Sequence, residues 1–319
     1  MRSLHLNLLL SQLVTGEVFV DLAALLSALL GLGVAAASPK RAILLSPKMS
    51  QMPQNKTVER QAAVGDTDAY KTESSVILCN INHPGTLLKT IGLIGGMSWE
   101  STVTYYRLIN ESIKERLGGL HSAKLVLYSV DFHEVERFQH AGDWLAAGEL
   151  LSGAARSLQS AGADFLVLCT NTMHKVAPAI EAAVDIPLFH IADPTAHAIR
   201  QAGFETVGLI GTRFTMEQDF YRERLQQRHG LQVLIPTLQD RELVHRIIYD
   251  ELCLGKIIPG SLAVYQTVIA ELAARGAQAI ILGCTEISLL VSQQDSGIPL
   301  FDTTSIHARK AAQSALSDN

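Results

Sequence analysis

Two stretches of the 319-residue chain end an apolar run in small polar side chains able to hold or move a proton. Phe165-Leu166-Val167-Leu168-Cys169-Thr170-Asn171-Thr172 is one, and Ala279-Ile280-Ile281-Leu282-Gly283-Cys284-Thr285-Glu286 is the other. Gly162-Ala163 precedes the first and Gly276-Ala277 the second. Aligning the runs sets Thr170 over Cys284, 114 residues apart. Ile91–Gly95 and Val207–Gly211 form a second pair of like stretches, 116 residues apart. Two pattern pairs at nearly one period indicate an internal duplication, with one reactive side chain from each half. A thiol at a helix N-terminus has a lowered pKa and is the better base or nucleophile. Cysteine is also a common small core residue; the pairing with Thr170, and the Thr285-Glu286 that follow, favour a working thiol at Cys284. Cys253, between Leu252 and Leu254, reads as core. His174 reads either as a packed, capping residue or as a binding one.

The elements that must hold these side chains alternate strand and helix. Thr90–Ile94 reads as a strand, Gly95–Ser98 as a tight turn with Ser98 as N-cap, and Trp99–Leu117 as a helix ended by Gly118-Gly119. Lys124–Val130 is the next strand. Asp131 opens a polar loop that runs through Gln139 to Gly142, and Asp143–Ala161 is an Ala/Leu-rich helix. Strand Asp164–Cys169 leads into the first reactive turn, with a helix from Thr172, a short strand Pro187–His190 and a helix Pro194–Ala202. The second half has strand Thr206–Ile210, helix Met216–His229, strand Leu231–Ile235, helices Asp240–Leu252 and Ser261–Arg275, and strand Gln278–Leu282. A helix from Glu286, strand Pro299–Phe301 and helix Thr304–Ser317 complete it. This order predicts an α/β fold of two similar doubly wound parallel-sheet domains, residues 89–193 and 194–302. The C-terminal helix, within 303–319, is expected to pack back on the first half.

Four strand-to-helix turns carry unusual polar residues: Gly95–Ser98, Thr170–Thr172, Thr212–Thr215 and Cys284–Glu286. Facing sheet ends would enclose one cleft between the domains. Helix N-termini there offer backbone N–H groups and positive dipole ends that suit a small carboxylate. Gly92-x-x-Gly95-Gly96 is not the dinucleotide fingerprint, and no phosphate-loop motif is present.

Composition narrows the class. Hydrophobic residues are 48% and aromatics 6%, the balance of a helix–strand layered protein. A net charge of -5 with no basic block gives no electrostatic footprint for nucleic acid. The four cysteines show no zinc spacing and fit a reducing compartment, the cytoplasm, better than a disulfide framework. No metal-ligand cluster and no pyridoxal-phosphate lysine signature is evident. Residues 1–88 differ from the rest. Leu22–Ala37 is uncharged and apolar, but at 16 residues it is short for a membrane span, with Glu17 and Asp21 just upstream. Residues 38–88 are polar and without period. The segment reads as a leader, disordered or translated upstream of the true start, which would then lie at Leu88.

The motifs Gly95-Gly96-Met97-Ser98-Trp99-Glu100-Ser101, Cys169-Thr170-Asn171-Thr172-Met173-His174 and Gly283-Cys284-Thr285-Glu286 make the chain resemble the aspartate/glutamate racemase superfamily. Val130-Asp131-Phe132-His133-Glu134 and Thr215-Met216-Glu217-Gln218-Asp219-Phe220-Tyr221 make it similar to the bacterial broad-specificity group within it. The resemblance runs from about Lys89 to the C-terminus. It implies a racemase without cofactor or metal, often a homodimer, acting on a small amino-acid substrate with no membrane or nucleic-acid partner. It implies two acid/base groups on opposite faces of the substrate Cα, here Cys284 and Thr170. Met97, Ser98, Gln139, Asn171, Thr172, Thr212, Thr285 and Glu286 would bind the substrate. The family's first cysteine is replaced by Thr170, while Cys169 sits one residue early and faces the other way on a strand. That substitution implies a strong base at Cys284 and a weaker partner at Thr170. A related decarboxylase-type lyase with one cysteine, or a weakly active amino-acid-binding protein, are the competing readings. Polar Gln139, Asn171 and Thr172 argue against the apolar pocket that such a lyase needs.

Overall fold

The structure, a computed structural model, describes residues 88–316. The expectations for the leader lie outside the described residues. The elements follow the order β1 Ile91–Gly95, α1 Trp99–Leu117, β2 Leu125–Ser129, α2 Phe132–Ala141, α3 Trp144–Ser160, β3 Phe165–Leu168, α4 Ala177–Glu181, β4 Leu188–Phe189 and α5 Ala192–Gln201. The second half adds β5 Thr206–Gly211, α6 Arg213–Glu217, α7 Asp219–Glu223, β6 Gln232–Leu234, α8 Leu238–Asp250, α9 Pro259–Ala274, β7 Ala279–Gly283, β8 Leu300–Asp302 and α10 Thr303–Ala315.

The strands form two parallel four-stranded sheets of identical order, β2-β1-β3-β4 and β6-β5-β7-β8. Register carries the duplication to single residues. Ile94 pairs with Leu168 in the first sheet, and Ile210 pairs with Leu282 in the second. Thr170 and Cys284 each lie two residues beyond those paired leucines, so they leave equivalent strands at the same height.

Each central strand is buried on both faces, so its side chains divide between two apolar layers. Ile94, Leu166 and Leu168 pack on α3 with Leu151, Ala155 and Leu158, while Ile91, Leu93 and Val167 pack on α1 with Tyr105, Ile109 and Ile113. In the second sheet Ile210, Ile280 and Leu282 meet α8 and α9, and Val207, Leu209 and Ile281 meet α5 and the segment of Tyr221 and Leu225. Helix α10 follows the last strand of the second sheet, yet its Ala308, Ala311 and Ala312 are part of the layer beneath α1.

Two elements depart from the sequence expectations. The polar loop after Asp131 is helix α2. Asp131 caps it by accepting from His133 N–H, and Gly142 in the left-handed region ends it. Its fully buried face is only Val135 and Gln139, too little for a visible period. The single helix over 216–229 is instead α6 and α7, divided at an extended Gln218 and followed by a π-turn, Arg224–Arg228. Lys175 Nζ donates to Gln218 Oε1 at 2.6 Å across that break. Among the described residues no helix is long and apolar enough to cross a membrane.

Candidate active site

An enclosed cavity lies where the strand ends of both sheets converge. Met97, Thr170, Asn171 and Thr172 line it from the first half, and Thr212, Cys284 and Glu286 from the second. Gln139 and Phe132 of α2 and Ile248 and Tyr249 of α8 close it, with Cys253 beyond α8. Its volume is about 20 Å³, room for about one water. An amino acid therefore needs the α2 and α8 walls to part. A wider vestibule of about 600 Å³ lies outside and shares Phe132, Tyr249 and Cys253 with the inner cavity.

The first turn is built on Gly96, whose φ is +94°; a Cβ there would collide with Val130 O. Ser98 begins α1 in an extended conformation, but its side chain makes no capping bond. Its Oγ donates to Glu286 Oε1 at 2.9 Å, and its N–H to the same oxygen at 3.3 Å. On the other oxygen, Oε2, Glu286 accepts from Thr285 Oγ1 at 2.7 Å and from Cys284 Sγ at 2.9 Å. Four donors from both halves thus converge on one carboxylate. Ser98 and Thr285 are not among the cavity-lining residues; each acts on Glu286.

Cys284 is buried and protonated. Burial pushes its thiol well above the ordinary value, and the negative charge of Glu286 pushes the same way. The Glu286 backbone N–H acts in the opposite direction. The lowered pKa expected from a helix N-terminus is not found. The helix after Cys284 is the three-residue 3₁₀ turn Ile287–Leu289, too short to sum a useful dipole. The turns at Thr170 and Thr212 likewise open helices of five residues.

Thr170 is held by His174. The backbone N–H of Ile191 donates to His174 Nε2 at 3.2 Å, so the ring proton sits on Nδ1, which donates to Thr170 O at 2.7 Å. His174 is thus a neutral packing residue; burial lowers its pKa to about 3. Asn171 Nδ2 donates to Thr303 Oγ1 at 3.0 Å, and Thr303 in turn donates to Leu282 O at 2.8 Å, which fixes the amide's orientation. Its Oδ1 is buried without a hydrogen-bond partner. Thr172 and Thr212 join the halves through their hydroxyls at 2.9 Å. Gln139 donates to Met173 Sδ at 3.0 Å and accepts from Tyr249 OH at 2.8 Å.

Cys169 is fully buried in the layer beneath α1 and α10, away from the cavity. Cys253, expected in the core, is half-buried in the 3₁₀ turn Leu252–Leu254 and lines the cavity. Tyr249 carried no sequence motif, and Phe132 stood in the Val130–Glu134 stretch with no role assigned to it. The one available signal was the spacing of His245 and Tyr249, four residues apart on one helix face, with Cys253 four residues further on. Among the described residues no group of His, Cys, Asp and Glu is arranged to hold a metal ion.

The model of the Asp/Glu/hydantoin racemase family matches residues 94–311. The chain is 23% identical over 240 residues to the broad specificity amino-acid racemase RacX of Bacillus subtilis, spanning 71% of this chain and 98% of that one. It is 61% identical to a Yersinia pestis protein classed with the Asp/Glu racemases, over 72% of this chain and all of that structure, with a TM-score of 0.68. PH1733, an aspartate racemase homologue from Pyrococcus horikoshii, is 34% identical over the same share of this chain and all of its own, with a TM-score of 0.63.

Proposed function

The chain belongs to the Asp/Glu/hydantoin racemase family and is an amino-acid racemase, and from that premise we propose that Cys284 and Thr170 exchange the α-proton on opposite faces of the substrate. The observation that carries this is their equivalence. Both follow the same paired position of duplicated sheets, and both line one enclosed cavity. Racemisation needs one acid/base group per face, and a duplicated fold supplies two related turns.

Cys284, as thiolate, takes the α-proton, and Thr170 delivers a proton to the other face. The hydroxyl of Thr170 makes no hydrogen bond to any described residue, which leaves it available to the cavity. The reaction uses no cofactor: turn amides and the hydroxyls of Thr172 and Thr212 hold the carboxylate and stabilise the charge that develops on deprotonation. The unmet Asn171 Oδ1 is an acceptor suited to the substrate ammonium. Substrates are amino acids with acidic or polar side chains, in keeping with Gln139, Asn171 and Thr212 in the lining.

The test is proton NMR in D₂O with a panel of L- and D-amino acids. Loss of the α-proton signal with appearance of the opposite enantiomer is expected, and the panel ranks substrates. Cys284→Ala should slow exchange by about a thousandfold, within the range of general acid–base catalysis. Residual exchange near the parent rate would remove Cys284 from its role.

The enzyme works as a homodimer in the cytoplasm. Its described cysteines are free thiols, and one is the base. Trp99, Val103 and Tyr106, spaced along one face of α1, are 64%, 56% and 52% exposed. Such a stripe marks an interaction surface. Val103→Glu with Tyr106→Glu should give a monomer in analytical ultracentrifugation; a parent protein that already sediments as a monomer would refute the pairing.

A further inference from the structure

A groove of about 680 Å³ runs between α5 and α10, under the end of α1, and shares no residue with the racemase cavity. Its size suits a ligand of drug-like dimensions. Its rim carries three cations, Arg116, Arg309 and Lys310. Asp193 is the one carboxylate in the lining, and it is already matched. Arg224 grips it through two bonds at 2.7 and 2.6 Å, and His229 lies at 3.0 Å. Arg309 faces Glu115 at 3.7 Å, but both side chains are at least half exposed, so the pair is weak and gives way to a better anion.

The floor is Phe189 and Pro194 beside His190. His190 is only 5% exposed. Its Nδ1 accepts from the Ala192 N–H at 3.2 Å, so the ring proton sits on Nε2. That N–H has no acceptor among the described residues, yet it is not sealed from solvent. It is a neutral donor left facing the groove. The neighbouring His307 offers nothing comparable, since its Nε2 donates to Phe189 O and its Nδ1 accepts from Tyr105 OH, both at 2.9 Å.

We infer that this groove is a second ligand site, for a small anion that carries a flat apolar ring, of the aromatic phosphomonoester or carboxylate kind. The rim cations take the charged group, His190 Nε2–H donates to it or to a ring acceptor, and Phe189 and Pro194 receive the ring.

The test is isothermal titration calorimetry of the full chain with phenyl phosphate, benzoate and inorganic phosphate. It does not depend on racemisation. One site is expected, with phenyl phosphate or benzoate binding at least tenfold tighter than inorganic phosphate, and whichever binds tighter names the charged group. The ¹⁵N signal of His190 Nε2 should move on binding, and amino-acid substrate should not compete. Arg309→Glu with Lys310→Glu should weaken binding at least tenfold while α-proton exchange persists. Ala198→Trp, which fills the groove without changing charge, should block it as well. Equal binding of phenyl phosphate, benzoate and inorganic phosphate, competition by amino acid, or binding unmoved by both variants would overturn the assignment.

Discussion

Glu286 sets the conditions under which Cys284 can act. Its carboxylate accepts from the thiol at 2.9 Å and, through Ser98, ties the reactive turn of the second half to the first turn of the other. Burial keeps the proton on sulfur, and the negative charge of Glu286 acts the same way. A bound substrate ammonium would offset that charge and ease thiolate formation, so the base is released only when there is a proton to take. Glu286→Gln removes the charge and keeps the shape. The alkylation rate of Cys284, followed by mass spectrometry of its peptide, should then rise at a lower pH than in the parent. An unmoved profile would mean that burial alone governs the thiol. In the proposed mechanism Thr170 would be the weaker partner, because a hydroxyl does not titrate near neutrality. Thr170→Cys should bring kcat for the two enantiomers closer together; kcat/KM is already tied between directions by an equilibrium constant of one. The identity of these residues was legible as a repeated pattern in the chain. Their states were not. The high thiol pKa follows from burial and from a carboxylate two residues on, and neither the depth nor the rotamer of Glu286 is written in Gly283-Cys284-Thr285-Glu286.

At the scale of elements, α2 and α8 decide access. They belong to different halves and meet through Tyr249, whose hydroxyl donates to Gln139 Oε1 and whose ring stacks on Phe132 with centroids 6.3 Å apart. A cavity of about 20 Å³ behind them admits no amino acid, so turnover includes opening and reclosing this contact. Tyr249→Phe removes one hydrogen bond of about 1 kcal/mol and should shift the balance between closed and open forms about fivefold. KM is expected to fall by up to that factor, because more of the free enzyme is open to substrate, read from progress curves of α-proton exchange; an unchanged KM would show that the helices part elsewhere. The strands and long helices of this layer were readable from apolar period, and Trp99–Leu117 matches its expected bounds. Helix α2 was not, because its outer face is polar and its buried face contributes mainly the one polar residue, Gln139, that the site uses. Local signals existed in the Asp131 cap and the Gly142 stop, but they are equally the marks of a turn.

At the scale of the whole molecule, a seam of neutral histidines runs through the first half to where the last helix docks on it. His307 of α10 accepts from Tyr105 of α1 and donates to Phe189 O of β4, so one side chain binds the last helix to the first half. His174 packs at a tilt against His190 with ring centroids 4.3 Å apart and donates to Thr170 O. Burial lowers the pKa of His174 to about 3 and of His307 to about 4, and drives that of His190 down as well. Neighbouring charges divide. Arg224 and Arg228 oppose protonation of His190, while Asp193 favours it at His174 and His307. In the unfolded chain each ring takes up a proton below its ordinary value of 6.5, whereas the folded chain keeps it neutral. The unfolded state therefore binds more protons as pH falls, and stability drops. The full contribution is present above pH 6.5 and is lost progressively from there down through the folded values. Between pH 6.5 and 5, above the range of ordinary carboxylates, each histidine should cost about 1 kcal/mol per pH unit on average, nearing about 1.4 at the acid end. Three acting together would approach about 4 kcal/mol per unit. Urea unfolding at pH 7.0, 6.0 and 5.0 measures the slope. His307→Gln can still donate to Phe189 O and accept from Tyr105 OH, but it does not titrate. It should fold, and its slope should be shallower than the parent's by about 1 kcal/mol per pH unit. A variant with the parent slope would place the acid sensitivity outside this seam.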